Sequence, residues 1–252
     1  MGKLTKTNAA FVLLLIILTS CSAQNKETVK LKDIQEKLQE NAAGDINIVD
    51  IKTEDNINLK GTFYKSSGNF SVILLHMLGR NRNDWNDFAK ELQSNGYNVL
   101  SIDFRGHGES QLNFKDFSEN DFNKMVLDVK AAKEFLKTKN AYNAAIIGAS
   151  IGANAAINYA AQDNSVKTVI LLSPGLNYRG VKTDAAIRLF RNPILILASE
   201  GDSYSSESSK KLNSYSQSST LKIYDGDLHG IAMLANPDVK KEISGWLKEN
   251  LK

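Results

Sequence analysis

Cysteine is almost absent from this chain. Cys21 is the only one in 252 residues, so no disulfide can form within it. Proline is scarce, with three residues, and the sixteen glycines are not concentrated anywhere, which excludes a low-complexity sequence. An excess of one charge is missing too. The formal charge is +3, basic residues interleave with acidic ones, and no basic stripe suited to nucleic acid is present. The apolar run Ala9 to Leu18 is too short to cross a bilayer by itself. No internal repeat and no linker divides the rest. What is there is 42% hydrophobic, which suits one domain with a sizeable core.

The apolar patterning alternates between two periods. Ile46 to Thr53 and Ile57 to Tyr64 flank Glu54-Asp55-Asn56 and read as a hairpin. Phe70 to His76, Tyr97 to Asp103, Asn143 to Ala149, Val166 to Leu172, Ile194 to Ser199 and Thr220 to Tyr224 read as buried strands. Helical patterns lie between them, at Asp84 to Asn95, Ser118 to Thr138, Ala153 to Ala161, Ser203 to Tyr215 and Pro237 to Leu251. This order predicts an α/β fold with an eight-stranded, mostly parallel sheet covered by helices on both faces. The domain runs over residues 46–252. Ser173 to Asn192 leaves room for little or no lid.

The stretch Gly148-Ala149-Ser150-Ile151-Gly152 joins a strand pattern to a helix pattern. A serine at the apex of such a turn needs small neighbours two residues away, and the following helix aims its amino end at any anion formed there. Alone, the motif also fits a tight packing turn or a phosphate loop. No lysine follows as in a P-loop, and the glycine spacing does not match a dinucleotide fingerprint.

A serine hydroxyl needs a base to become a nucleophile. There are three histidines, and each follows a strand: His76, His107 and His229. In an open parallel sheet, ligands bind beyond the carboxyl ends of the strands. His229 suits the base, and Asp202 lies directly after the preceding strand to orient it. Glu200, Asp225 and Asp227 are rivals for that role, and helix capping is the plain alternative for Asp202. His76 reads as structural, and Asp103 and His107 as supporting the loop that follows their strand. The backbone N–H of Ile151, with that of Leu78 or Met77 in His76-Met77-Leu78-Gly79, suits an oxyanion hole. Leu112, Phe114, Leu176, Tyr178, Ile187, Leu189, Phe190 and Met233 are candidates to line an acyl pocket, or equally to be core.

Together these features resemble the α/β-hydrolase superfamily, from about Ile46 onward. They are the turn at His76, Asp103-Phe-Arg-Gly-His-Gly-Glu-Ser110, the Ser150 turn, and the Asp202 and His229 loops in that order. The resemblance implies the serine after the fifth strand, the acid after the seventh and the histidine after the eighth. It implies a carboxylesterase-like serine hydrolase that takes a small-molecule ester, with no organic cofactor and no metal. A peptidase, a lipase and a non-catalytic binding protein on the same fold are the alternatives.

The first residues carry a separate signal. Lys3 and Lys6 precede the apolar run, and Leu18-Thr19-Ser20-Cys21 resembles the lipobox of bacterial lipoproteins. That resemblance implies a signal peptide over residues 1–20, lipid on Cys21, and a protein held at a membrane surface in the bacterial cell envelope, at the outer rather than the inner membrane. An ordinary secretory signal cut after Ala23 is the alternative. Residues 21–45 read as a tether with a short amphipathic helix at Leu31, Ile34 and Leu38.

Overall fold

The computed structural model describes residues 45–251. The expected signal peptide, Cys21 and the tether helix lie outside the described residues.

The first two strands, β1 (Ile46–Lys52) and β2 (Asn58–Tyr64), form the expected hairpin, in register from Ile46 opposite Tyr64 to Lys52 opposite Asn58. Asn56 turns the chain with φ 66°, in the left-handed region that asparagine tolerates. The other sheet strands are β3 (Phe70–Leu75), β4 (Asn98–Ile102), β5 (Asn143–Ala149), β6 (Thr168–Leu172), β9 (Ile194–Ser199) and β10 (Ser219–Tyr224). The sheet order is β1-β2-β4-β3-β5-β6-β9-β10. Pairing is antiparallel from β1 to β4 and parallel from there on. All residues of β4, β6 and β9 are buried, as the unbroken apolar runs required.

Helices cover both faces. They are α1 (Asn86–Ser94), α2 (Glu119–Asn123), α3 (Met125–Thr138), α4 (Ile151–Ala160), α5 (Asp184–Leu189), α6 (Ser203–Tyr215) and α7 (Pro237–Asn250). The two-residue period of each strand splits its side chains between two cores. Ile73, Leu75, Ile146, Val169 and Leu171 pack with α3, α4 and α5. Val72, Leu74, Ile147, Ile170 and Leu172 pack with α1 and α7.

Two expectations need refinement. The helix expected over Ser118 to Thr138 is divided at Lys124 into α2 and α3. A Ser118–Asp121 capping box starts α2, and the Asn123 side chain ties it to the Gly180 carbonyl at 3.3 Å, while α3 packs on the sheet. The segment between β6 and β9 is an ordered cap. It holds a small hairpin, β7 (Asn177–Tyr178) and β8 (Val181–Lys182), followed by α5. Its turn has positive φ at both Arg179 and Gly180, the geometry that matches strand twist in a tight hairpin.

Candidate active site

The chain passes from β5 to α4 through Ser150, which sits at φ 54°, ψ −122°. That conformation costs a non-glycine residue on the order of 1–3 kcal/mol and persists only when its surroundings impose it. They do so here. The Ser150 N–H donates to Leu172 O at 2.8 Å, and the Ser150 carbonyl accepts from Ala153 and Asn154. A side chain at Gly148 would meet Gly152 O at 2.3 Å, and one at Gly152 would meet Leu75 O and His76 O at 2.6 Å. The two glycines are therefore set by backbone approach on either side of the serine. Ser150 itself is buried but for a small exposed edge.

Asp202 and His229 meet at the far side of this turn. Asp202 precedes α6, yet its carboxylate makes no capping hydrogen bond. Oδ2 lies 2.6 Å from His229 Nδ1 instead, so the carboxylate serves the imidazole rather than the helix. Glu200, Asp225 and Asp227 are all exposed. The His229 loop is held on both sides. Ser199 Oγ donates to Leu228 O at 2.7 Å, and the Gly230 N–H donates to Ser173 Oγ at 2.9 Å. An added Cβ at Gly230 would lie 3.4 Å from the Ala149 Cβ, which sets the histidine's neighbour against the serine's neighbour. No hydrogen bond joins Ser150 Oγ to the imidazole among the described residues. Nδ1 is committed to Asp202, which leaves Nε2 free to accept a proton, and such contacts often tighten only when substrate binds.

The turn at His76 to Gly79 lies between these parts. Leu75 O and His76 O crowd Gly152, and Met77 Sδ crowds Gly230. Among the described residues the N–H groups of Met77, Leu78 and Ile151 donate to no acceptor. His76 points the other way. It is fully buried, its Nδ1 lies 2.7 Å from Met77 O and its Nε2 accepts from the Phe104 N–H at 3.0 Å. Burial pulls its pKa down to about 3, so it is a neutral structural group.

Asp103 and His107 stand in a separate buried network. Asp103 accepts from the backbone N–H groups of Arg82 and Glu109 and from the Arg82 guanidinium. His107 stacks on Phe114 with ring centroids 4.3 Å apart, and burial lowers its pKa. Arg105 bridges buried Asp128 and half-buried Asp55. None of these groups is bonded to Ser150 or His229.

Of the pocket candidates, Ile187, Phe190 and Met233 are core. Leu112 and Leu189 face solvent. Phe114, Leu176 and Tyr178 are half-buried against the core. Sequence reasoning missed Ser173, Ser199, Ser205 and Asn154. Ser173 directly follows β6 and Ser199 is the last residue of β9, the one signal that pointed to them. Asn154 is fully buried one turn after Ser150, where its Nδ2 donates to Val181 O and its Oδ1 accepts from the Gly175 N–H, pinning the cap hairpin.

This order of strands is matched in known proteins. The model of a family described as serine aminopeptidase, S33, matches residues 69–190. The AB hydrolase superfamily protein YisY of Bacillus subtilis (strain 168) is 28% identical over 211 residues, covering 77% of this chain and 75% of that protein. A Pyrococcus furiosus esterase superposes with a TM-score of 0.73 at 20% identity, over 84% of this chain and 94% of that one. The chain has the α/β-hydrolase fold and is similar to members of that superfamily. Another solved member of the fold, an esterase of a Rhodococcus species, superposes with a TM-score of 0.68 at 16% identity, over 81% of this chain and 99% of that one. Among the described residues, no group of three His, Cys, Asp or Glu side chains is arranged to hold a metal ion.

Proposed function

We propose that this chain with the α/β-hydrolase fold is a serine hydrolase that cleaves carboxylic esters through an acyl-enzyme. The observation that carries the reading is the 2.6 Å Asp202–His229 contact beside a serine held at positive φ. Ser150 is the nucleophile. His229 takes its proton at Nε2 as Oγ attacks the ester carbonyl, and Asp202 holds Nδ1–H and offsets the charge of the imidazolium. The free N–H groups of Ile151 and of Leu78 or Met77 receive the oxyanion. His229 then gives its proton to the leaving alcohol, and later draws one from the water that releases the acid. The cap, fixed by the Asn154 and Tyr204 hydrogen bonds, favours a small acyl group. The lipobox-like end of the leader supports an envelope protein anchored through lipid on Cys21, acting on esters that reach the membrane surface.

Protein made from Ser22 onward, given p-nitrophenyl acetate and butyrate beside a Ser150→Ala variant, tests this. Turnover that the variant lacks supports the reading, and equal slow hydrolysis by both overturns it. A peptidase is the second reading, favoured by the description of the matching family. Cleavage of aminoacyl p-nitroanilides by the wild type, abolished in the same variant, would select it.

A further inference from the structure

We propose that Tyr178 and Ser205 are positioning residues that lock the tautomer of His229, an inference that rests on the hydrolase reading above. Ser205 is fully buried in the first turn of α6, and its Oγ lies 3.4 Å from His229 Nδ1. Tyr178, on the cap hairpin, has its phenol oxygen 2.9 Å from the same Oγ and 3.3 Å from Ser173 O. A carbonyl can only accept, so the phenol donates to Ser173 O. The Ser205 hydroxyl then donates to the phenol oxygen. Its remaining lone pairs face Nδ1, which must carry the proton that it shares between Ser205 Oγ and Asp202 Oδ2.

The rest of the cap holds the phenol in that place. The Tyr178 ring stands edge-on to His229, with centroids 6.3 Å apart and an 88° angle. A Cβ at Gly175 would meet the ring at 2.6 Å, so glycine there makes the seat. Asn177 and Tyr204 exchange hydrogen bonds of 2.9 and 3.0 Å, which fasten the hairpin to the helix that carries Ser205. Burial pushes the phenol pKa up to about 12, against the hydrogen bond from Ser205, so it stays a neutral donor.

Without the phenol, the Ser205 hydroxyl is free to turn its proton toward Nδ1. That favours the tautomer with the proton on Nε2, which cannot accept one from the nucleophile. Tyr178→Phe keeps the ring and removes only the oxygen. It is expected to lower kcat about tenfold with KM within about twofold, well short of the ~10⁴ lost when a carboxylate swap imposes the wrong tautomer. Ser205→Ala removes the competing donor altogether and is expected to cost about twofold or less, because Asp202 still holds Nδ1–H. The double variant should match Ser205→Ala alone, so the second substitution rescues the first. Additive losses, or a change in KM instead of kcat, would overturn the proposal.

Nuclear magnetic resonance of ¹⁵N-histidine-labelled protein reads the tautomer directly, since there are only three imidazoles. His229→Gln identifies the His229 signals. Wild type should show the Nδ1–H form, Tyr178→Phe a mixture, and the double variant the Nδ1–H form again. An unchanged tautomer in Tyr178→Phe would overturn the proposal. This measurement needs no turnover, so it stands or falls apart from the Ser150→Ala result.

Discussion

Two clusters built on histidine and aspartate stand at the carboxyl end of this sheet, one joined by two arginines and the other by a serine. In the one after β4, Asp103 is fully buried and takes two backbone N–H groups and a guanidinium, Arg105 is clamped between Asp128 and Asp55, and His76 has both ring nitrogens engaged. In the other, His229 has one nitrogen engaged and 39% of its side chain exposed, and Ser150 is held in a strained backbone. In the first, His107 Nε2 is left without a partner, but it is buried. The second keeps one lone pair and one hydroxyl uncommitted. What separates a supporting cluster from a reactive one is unspent capacity on an exposed ring, as in His229, rather than unspent capacity sealed in the core.

Substitutions can break the distinction, beginning with the largest effect. Ser150→Ala should lower ester turnover by about a thousandfold or more while the thermal midpoint stays near that of wild type, read by p-nitrophenyl butyrate kinetics and a calorimetric scan. Asp202→Asn should cost about 10²–10⁴ in kcat with KM little changed, because the amide no longer fixes Nδ1–H. In the other cluster the effect should fall on stability. Asp128→Ala leaves Arg105 buried with its fully buried partner gone and should cost about 3 kcal/mol in urea unfolding, while the protein that remains folded keeps its kcat. Loss of turnover without loss of stability in that variant would erase the comparison.

Acid should also act on the supporting cluster. The buried His76 titrates near 3 when folded and near 6.5 when unfolded. Between those values the unfolded chain binds more protons, so stability is present above about pH 6.5 and is lost as the pH falls, by up to about 1.4 kcal/mol per unit from this group. Asp55, drawn down to about 2 by its hydrogen bonds to Arg105, acts in the same direction at lower pH. Asp128, which burial raises to about 6, acts in the opposite direction below that pH, so the His76 share is read by difference: between pH 7 and 5.5 the urea midpoint of wild type should fall more than that of His76→Gln. The smallest effect is expected from Asp225→Asn and Asp227→Asn, which should leave kcat within about twofold; a large loss in either would move the acid from Asp202.

Much of this was legible in the chain, for identifiable reasons. The turn at Ser150 could be read because its requirements are local: small residues at Gly148 and Gly152, with a strand before and a helix after. Asp202 and His229 could be read because strand ends in a parallel sheet converge. The division at Lys124 could not, since the apolar period runs on from Phe122 to Met125 and beyond. Nor could the partners of Ser205 and Tyr178, whose bonds cross 24 to 27 residues and depend on how the cap folds back. The same holds for Arg82, which meets Asp103 across 21 residues.

The strand that delivers the histidine is also one of the two edge strands of the sheet. β10 lies at the margin of the sheet and pairs with β9 alone, whereas β5 has a neighbour on each side. Fluctuations that open a folded chain begin where fewest contacts must break. The amides of β10 should therefore exchange with deuterium well before those of β5. In mild denaturant the molecule should lose its general base while the nucleophile's turn is still intact, and activity should fade ahead of any spectroscopic sign of unfolding.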